Sequence, residues 1–255
     1  MGVFLASYEY YFSTPGLILQ GLSDSIFRVE LNTIQVNYED MLKAGMHYGR
    51  KRTVLNPSMS RYVFTTRDGI CIIDLLKTQV QLRNSVEFLK KTIKSGGMVL
   101  FVGITKQSGE STKNLAESFN MPYVIDRWLG GTLTNYKVIN TRVKKLEELE
   151  NDVKSGALEK YTKKERLMLT KELAKMKVRF EGLKKLTRLP DAIFVSSLKE
   201  SSLAVREAKK MGVKVVGIAN TDSDPDEIDY VIPANDRSKR SVDLVLEMIS
   251  KELAE

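Results

Sequence analysis

The stretch Met98–Gly103, Met-Val-Leu-Phe-Val-Gly, is a short unbroken apolar run. A strand covered on both faces needs apolar side chains on both, so the run predicts a central strand of a parallel sheet. Just upstream, Leu82, Val86, Leu89 and Ile93 recur at spacings of four, three and four, which aligns them on one side of a helix. Ser95-Gly96-Gly97 supplies its stop. Downstream the alternation repeats. The pattern predicts a helix over Glu110–Phe119, a short strand over Pro122–Ile125 and a buried strand over Asp191–Ser196. It continues with a helix over Ser201–Met211 stopped by Gly212, strands over Val213–Ala219 and Asp229–Ile232, and a final helix over Ser238–Leu253. Strands alternating with helices give an α/β domain with a mostly parallel sheet and helices on both faces. Nearer the start, Arg61–Thr65 and Ile70–Ile73 flank Arg67-Asp68-Gly69. Asp-Gly suits a two-residue hairpin turn, so an antiparallel piece is expected to decorate the sheet.

Between Asn135 and Pro190 the strand–helix alternation stops. Tyr136, Ile139, Val143 and Leu146 repeat at three, four and three. After the polar break Lys154-Ser155-Gly156 comes Thr162-Lys163-Lys164-Glu165, a capping-box signature. Leu169, Leu173, Met176, Phe180 and Leu183 then repeat at four, three, four and three. Two such seams with a short connection predict an antiparallel coiled-coil hairpin inserted into the domain. Its second helix, at about 23 residues, would reach about 35 Å. That is too long to wrap the body, so the hairpin is expected to project. The predicted organisation is an extension over residues 1–36, an α/β core over 37–134 and 190–255, and the helical hairpin over 135–189.

Charge sharpens the contrast between core and hairpin. The 255 residues carry 40 Lys and Arg against 32 Asp and Glu, a net charge of +8. Residues 135–190 alone hold 16 Lys and Arg against 8 Asp and Glu, so the hairpin accounts for the whole excess. A solvated coiled-coil face mixes Lys and Glu evenly; a twofold basic excess fits a polyanion better, RNA first. A second basic cluster, His47-Tyr48-Gly49-Arg50-Lys51-Arg52, sets cations beside an aromatic ring. Guanidinium and aromatic planes stack on unpaired bases, while Lys and Arg neutralise phosphates.

The first 36 residues have a different composition. They hold Phe4, Tyr10, Tyr11, Phe12 and the run Leu17-Ile18-Leu19, with Arg28 the one basic residue against Glu9, Asp24 and Glu30. No apolar run there approaches the roughly 18 residues of a membrane span. No early Lys or Arg marks a signal or transit peptide. The segment reads as a plain extension or as a packing arm for a partner protein. The single cysteine, Cys71, excludes an internal disulfide and suits a reducing compartment.

Catalytic signals are thin. The loop Gly103–Thr112 looks like a phosphate cradle, but five residues separate Gly103 from Gly109 and Glu110 stands where a P-loop has its lysine. A carboxylate there repels phosphate. Ser196-Ser197-Leu198-Lys199-Glu200-Ser201-Ser202 resembles the loop of a sugar-phosphate isomerase-like domain, because hydroxyls and amides at a helix N-terminus suit a phosphate. Ordinary helix capping explains Ser201 and Ser202 equally. His47 is the one histidine, which removes His-pair chemistry, and with Cys71 in a predicted strand a zinc site has too few ligands. The acidic loop Asp222–Glu227 reads as a turn built on Ser-Asp and Asp-Pro, or as a cation seat at a strand end. No catalytic residue, metal or cofactor is expected.

Several stretches together resemble one family, ribosomal protein S-two, the second protein of the small ribosomal subunit in its bacterial and organellar form. They are Met41-Leu-Lys-Ala-Gly-Met-His47-Tyr-Gly49, Asn56-Pro57-Ser-Met59, Arg127-Trp128-Leu-Gly-Gly-Thr-Leu-Thr-Asn135, Leu189-Pro190-Asp191-Ala192, Asn220-Thr221-Asp222-Ser223-Asp224-Pro225 and Ile232-Pro233-Ala234-Asn235-Asp236. They stand in the family's order and spacing from about Tyr38 to Leu253. The resemblance implies a flavodoxin-like parallel sheet with a protruding coiled-coil hairpin, no catalysis and no cofactor. It implies a cytoplasmic or organellar structural constituent of the small subunit, with no membrane partner. Such proteins bind small-subunit ribosomal RNA and neighbouring small-subunit proteins at the join of head and body, and help dock the large messenger-capturing protein. Departures are visible. The family's His-Phe-Gly-His-Gln is His47-Tyr48-Gly49-Arg50-Lys51 here, which adds cations and removes a second histidine. Arg237 stands where a second aspartate is common, and Phe180-Glu181-Gly182 where a Gly-Gly pair is usual.

Charge and resemblance together give the residues expected to meet RNA: His47, Arg50, Lys51, Arg52, Arg61, Arg127, Lys137, Arg142, Lys144, Lys171, Lys175 and Arg179. Trp128, Gly130, Gly131 and Asn135 form the expected junction between body and arm. Trp128 and Tyr136 brace it, and the glycines let the chain turn from strand into arm. Stacking of Trp128 on a base is the alternative.

Overall fold

A computed structural model describes residues 37–156 and 162–254; the segment 1–36 and the link 157–161 between the arm helices lie outside it. The elements in chain order are α1 (Tyr38–Lys43), β1 (Tyr48–Lys51), β2 (Val63–Arg67), β3 (Ile70–Ile73) and α2 (Leu75–Lys94). Then come β4 (Val99–Val102), α3 (Gly109–Ser118), β5 (Tyr123–Val124), α4 (Tyr136–Lys154) and α5 (Lys163–Phe180). The chain ends with β6 (Ala192–Val195), α6 (Ser202–Met211), β7 (Lys214–Ala219), β8 (Tyr230–Pro233) and α7 (Lys239–Ala254).

The last five strands form one parallel sheet in the order β5-β4-β6-β7-β8. Numbered along the chain that is 2-1-3-4-5, the flavodoxin-like order. Successive residues of a strand point to opposite faces, and here both faces are dry. Leu100, Val102, Ile193, Val195 and Val215 enter one core with α6, Trp128, Leu133 and the arm helices. Val99, Phe101, Ala192, Phe194 and Val216 enter the other with α2, α3 and α7.

A separate three-stranded antiparallel sheet has the order β1-β3-β2. Its hairpin turns on Asp68 (φ 50°) and Gly69 (φ 74°), the pair of positive φ values that a type I′ turn requires. The predicted strand Arg61–Thr65 is displaced. Pro57–Tyr62 winds into a 3-10 turn capped by the Asn56 side chain, which accepts from Ser58 N–H, so β2 starts at Val63. Strand β1 carries no hydrophobic alternation, and the pattern along Tyr48-Gly49-Arg50-Lys51 did not predict it.

Both arm segments are helical and pack on one another. Lys145 meets Glu172 at 2.9 Å, and Glu150 lies between Lys177 (3.4 Å) and Lys184 (2.7 Å). The expected capping box is present, with Thr162 N–H donating to Glu165 Oε2 at 2.9 Å. Helix α5 has 18 residues rather than about 23, because the chain tightens into a 3-10 turn at Glu181–Leu183. The arm also differs from a free spike at its base. Ile139, Val143 and Leu146 of α4 and Leu173, Met176 and Phe180 of α5 are buried in the sheet's own core. Nearest 157–161, residues 151–156 and 162–168 are exposed throughout.

Candidate nucleic-acid interface

The segment from Arg127 to Asn135 joins β5 to α4, and a carboxylate from another helix organises it. Glu207, on α6, is only 7% exposed. Its Oε1 accepts from Trp128 Nε1 (3.1 Å) and Gly131 N (2.8 Å). Its Oε2 accepts from Leu133 N (3.1 Å), Thr134 N (3.3 Å) and Thr134 Oγ1 (3.2 Å). The first amides of a helix need acceptors from outside it, and Asn135 at the cap of α4 makes no side-chain capping bond. Glu207 instead holds the turn that leads into α4. Burial alone pushes its carboxyl up, but the bonds from Gly131, Trp128, Leu133 and Thr134 outweigh burial and hold its pKa below the usual carboxylate value. Gly131 has φ 92°, which suits glycine, whereas a side chain on Gly130 would meet nothing within 4 Å. The Trp128 ring is buried at 5% exposure and closed to a stacking base, while Tyr136 OH donates to Leu186 O at 2.7 Å across the arm's return. The sequence did carry a signal for Glu207: it shares the buried face of α6 with Ala204, Val205 and Ala208.

The cations expected to meet RNA divide into two groups. Lys51, Arg52, Arg127, Lys137, Arg142, Lys144, Lys171, Lys175 and Arg179 are exposed, and their side chains have no hydrogen-bond or ion-pair partner among the described residues. The other three are engaged. Arg61 NH2 donates to Asp226 Oδ1 at 2.7 Å and lies over the Tyr62 ring. His47 is half-buried beside Tyr48, and burial lowers its pKa, so near pH 7 it offers a ring rather than a charge. Arg50 turns inward: its Nε lies 3.5 Å from Asp222 and its NH2 3.8 Å from Asp236, carboxylates whose side chains are 5% and 2% exposed. Arg50→Ala leaves those two with less compensation, so it is expected to cost about 2 kcal/mol in urea unfolding, while Lys51→Ala stays within about 0.5 kcal/mol.

The loops at the carboxyl ends of the sheet are mostly occupied by their own bonds. Ser196 Oγ donates to Ser108 Oγ, and Ser197 Oγ to Asp236 Oδ2. Ser201 occupies the cap position of α6 but its hydroxyl makes no capping bond, contrary to the capping reading. In the acidic loop, Asp222 pairs with Lys199 at 2.8 Å, Asp224 caps the Pro225–Glu227 turn and Asp226 holds Arg61. Those carboxylates are thus used within the fold.

Comparison with known proteins adds a consistent picture. The family model described as Ribosomal protein S2 matches residues 41–255. Small ribosomal subunit protein uS2 of Thermus thermophilus is 44% identical over 213 residues, covering 84% of this chain and 83% of that protein. The protein of the same name from Bifidobacterium animalis subsp. lactis is 42% identical over 225 residues, covering 87% and 73%. That from Bifidobacterium longum is 42% identical over 225 residues, covering 87% and 79%.

Proposed function

The chain belongs to the ribosomal protein S2 family, structural and non-enzymatic components of the small ribosomal subunit, and on that premise we propose that it grips small-subunit ribosomal RNA with the exposed cations of its arm, of the junction at Arg127 and of the segment Lys51-Arg52. The observation that carries this reading is that nine of the twelve residues expected to meet RNA are exposed cations without an acidic partner among the described residues. Other arm cations are paired within the protein, as Lys145 and Lys177 are. Cations left over are free to displace counterions from a phosphate backbone. The body acts as the mount: the arm's base lies inside its core, so a force on the arm is carried to the sheet.

Neighbouring small-subunit proteins are a second part of the proposal, the large messenger-capturing protein among them. Tyr48 and Phe64, 51% and 55% exposed, stand on the two outer strands of the three-stranded sheet. Exposed aromatics of this kind suit a protein contact. The site of action is the ribosome; no helix among the described residues is long and apolar enough to cross a membrane.

Filter binding of the purified chain to a small-subunit RNA fragment across a salt series tests the RNA reading. Affinity is expected to fall at least tenfold between about 50 and 200 mM salt. Charge reversal at Lys171 and Lys175 should reduce the slope of log affinity against log salt by about 2. A flat salt response overturns phosphate contact.

A further inference from the structure

We infer that the groove between the end of α5 and the edge strand β5 is a seat for the RNA phosphodiester backbone, gripped by Arg127 and Arg179; this deepens the RNA reading and rests on it. The groove encloses about 330 Å³ and is lined by Lys113, Arg127, Lys177 and Arg179 with Asp126 and Glu181. Four cations therefore face two carboxylates. Two of the cations are already engaged: Lys113 with Glu117 at 3.8 Å and Lys177 with Glu150 at 3.4 Å. Arg127 and Arg179 have no such partner among the described residues, although Asp126 and Glu181 line the same groove. Neither guanidinium forms an ion pair with Asp126 or Glu181, so both forks are open to an incoming anion. The planar fork of arginine matches phosphate oxygens in pairs.

The walls are fixed relative to each other. Arg127 lies three residues after β5, Arg179 in the last turn of α5, and Gly182 presses the chain against β5 so closely that an added Cβ would lie 2.2 Å from Tyr123 O. The occupant is a chain of phosphates rather than a lone anion, because the cations continue outside the groove. Lys171, Lys175 and Arg179 follow at four-residue intervals and are all exposed, which sets them in a row along α5 about 6 Å apart. A free phosphate fills only the groove, whereas a backbone touches the row and the groove together.

The test compares Arg127→Gln, Arg179→Gln, the double variant and Arg179→Lys with the full chain in the same RNA-binding series. Both arginines are exposed, and the emission of Trp128 checks that the folds agree. Each single Gln variant should weaken binding about tenfold and lower the salt slope by about 1. The double variant should lose less than the product of the two, since one phosphate is shared. Arg179→Lys should fall between wild type and Arg179→Gln. Inorganic phosphate should compete only at far higher concentration than an RNA fragment; equal competition points to a lone anion and overturns the proposal. Unchanged affinity in all four variants, with loss only on reversal of Lys171 and Lys175, overturns the groove and leaves the RNA reading standing. Unchanged RNA affinity with loss of entry into small-subunit particles indicates a protein occupant and likewise overturns it. Failure of the wild-type chain to bind RNA overturns both.

Discussion

Glu207→Ala is expected to remove about 3–5 kcal/mol of stability and to wet the Trp128 ring. The carboxylate accepts five hydrogen bonds, from the indole N–H, three backbone amides and the Thr134 hydroxyl. Removing it orphans these donors together, and a buried donor left without an acceptor costs about 1–3 kcal/mol. Thr134 is exposed and can turn to water, which limits the total. The indole and Leu133 N–H are buried and cannot. Glu207→Gln keeps one acceptor oxygen but turns an NH2 towards N–H groups, so it should fall between the two. Trp128 is the one tryptophan of the chain, and its emission reports on this loop directly. In urea unfolding, the midpoint should drop and the native emission should shift to the red. The pH response follows from the lowered pKa. The stabilisation is complete above the unfolded carboxyl value, about 4.3, and is lost as pH falls through the lower folded value. Native emission that stays constant in Glu207→Ala overturns this account of the loop.

The parallel sheet was legible because it is dry on both faces, and such strands must be apolar at every position. The two helices of the arm were legible because their apolar seams repeat at helical spacing. Strand β1 was not, since Tyr48-Gly49-Arg50-Lys51 pairs through its backbone and puts no apolar side chain into the core. Fates of individual cations were equally hidden. Arg50 and Lys51 are adjacent and alike in the sequence, yet one faces Asp222 and Asp236, residues more than 170 positions away, and the other faces solvent. Long-range pairing of this kind leaves no local pattern. Glu207 sits between these cases: a charge on an apolar helix face announces a buried partner without naming it. The arm's base shows a similar limit, because a heptad seam says that a helix is covered but not whether the cover is another helix or the sheet.

Gly182 and Gly130 look interchangeable along the chain, one in Phe-Glu-Gly and the other in Leu-Gly-Gly, and they are expected to respond oppositely to alanine. A Cβ on Gly130 meets nothing within 4 Å, so Gly130→Ala should change stability by no more than about 0.5 kcal/mol. A Cβ on Gly182 would lie 2.2 Å from Tyr123 O and 2.5 Å from the Tyr123 ring. The ring is buried and its hydroxyl is bonded to Glu117, and the carbonyl belongs to β5, which is fixed in register against β4 through Phe101 and Tyr123. The end of α5 must therefore retreat. Overpacking of this sort costs about 1–3 kcal/mol, and Gly182→Val should exceed Gly182→Ala because its branches enlarge the same clash. The retreat also pulls Arg179 away from Arg127, so RNA affinity should fall together with stability even though no charge has changed. Equal urea midpoints for Gly182→Ala and Gly130→Ala would show that the edge strand yields, and that the contact does not set the position of the arm.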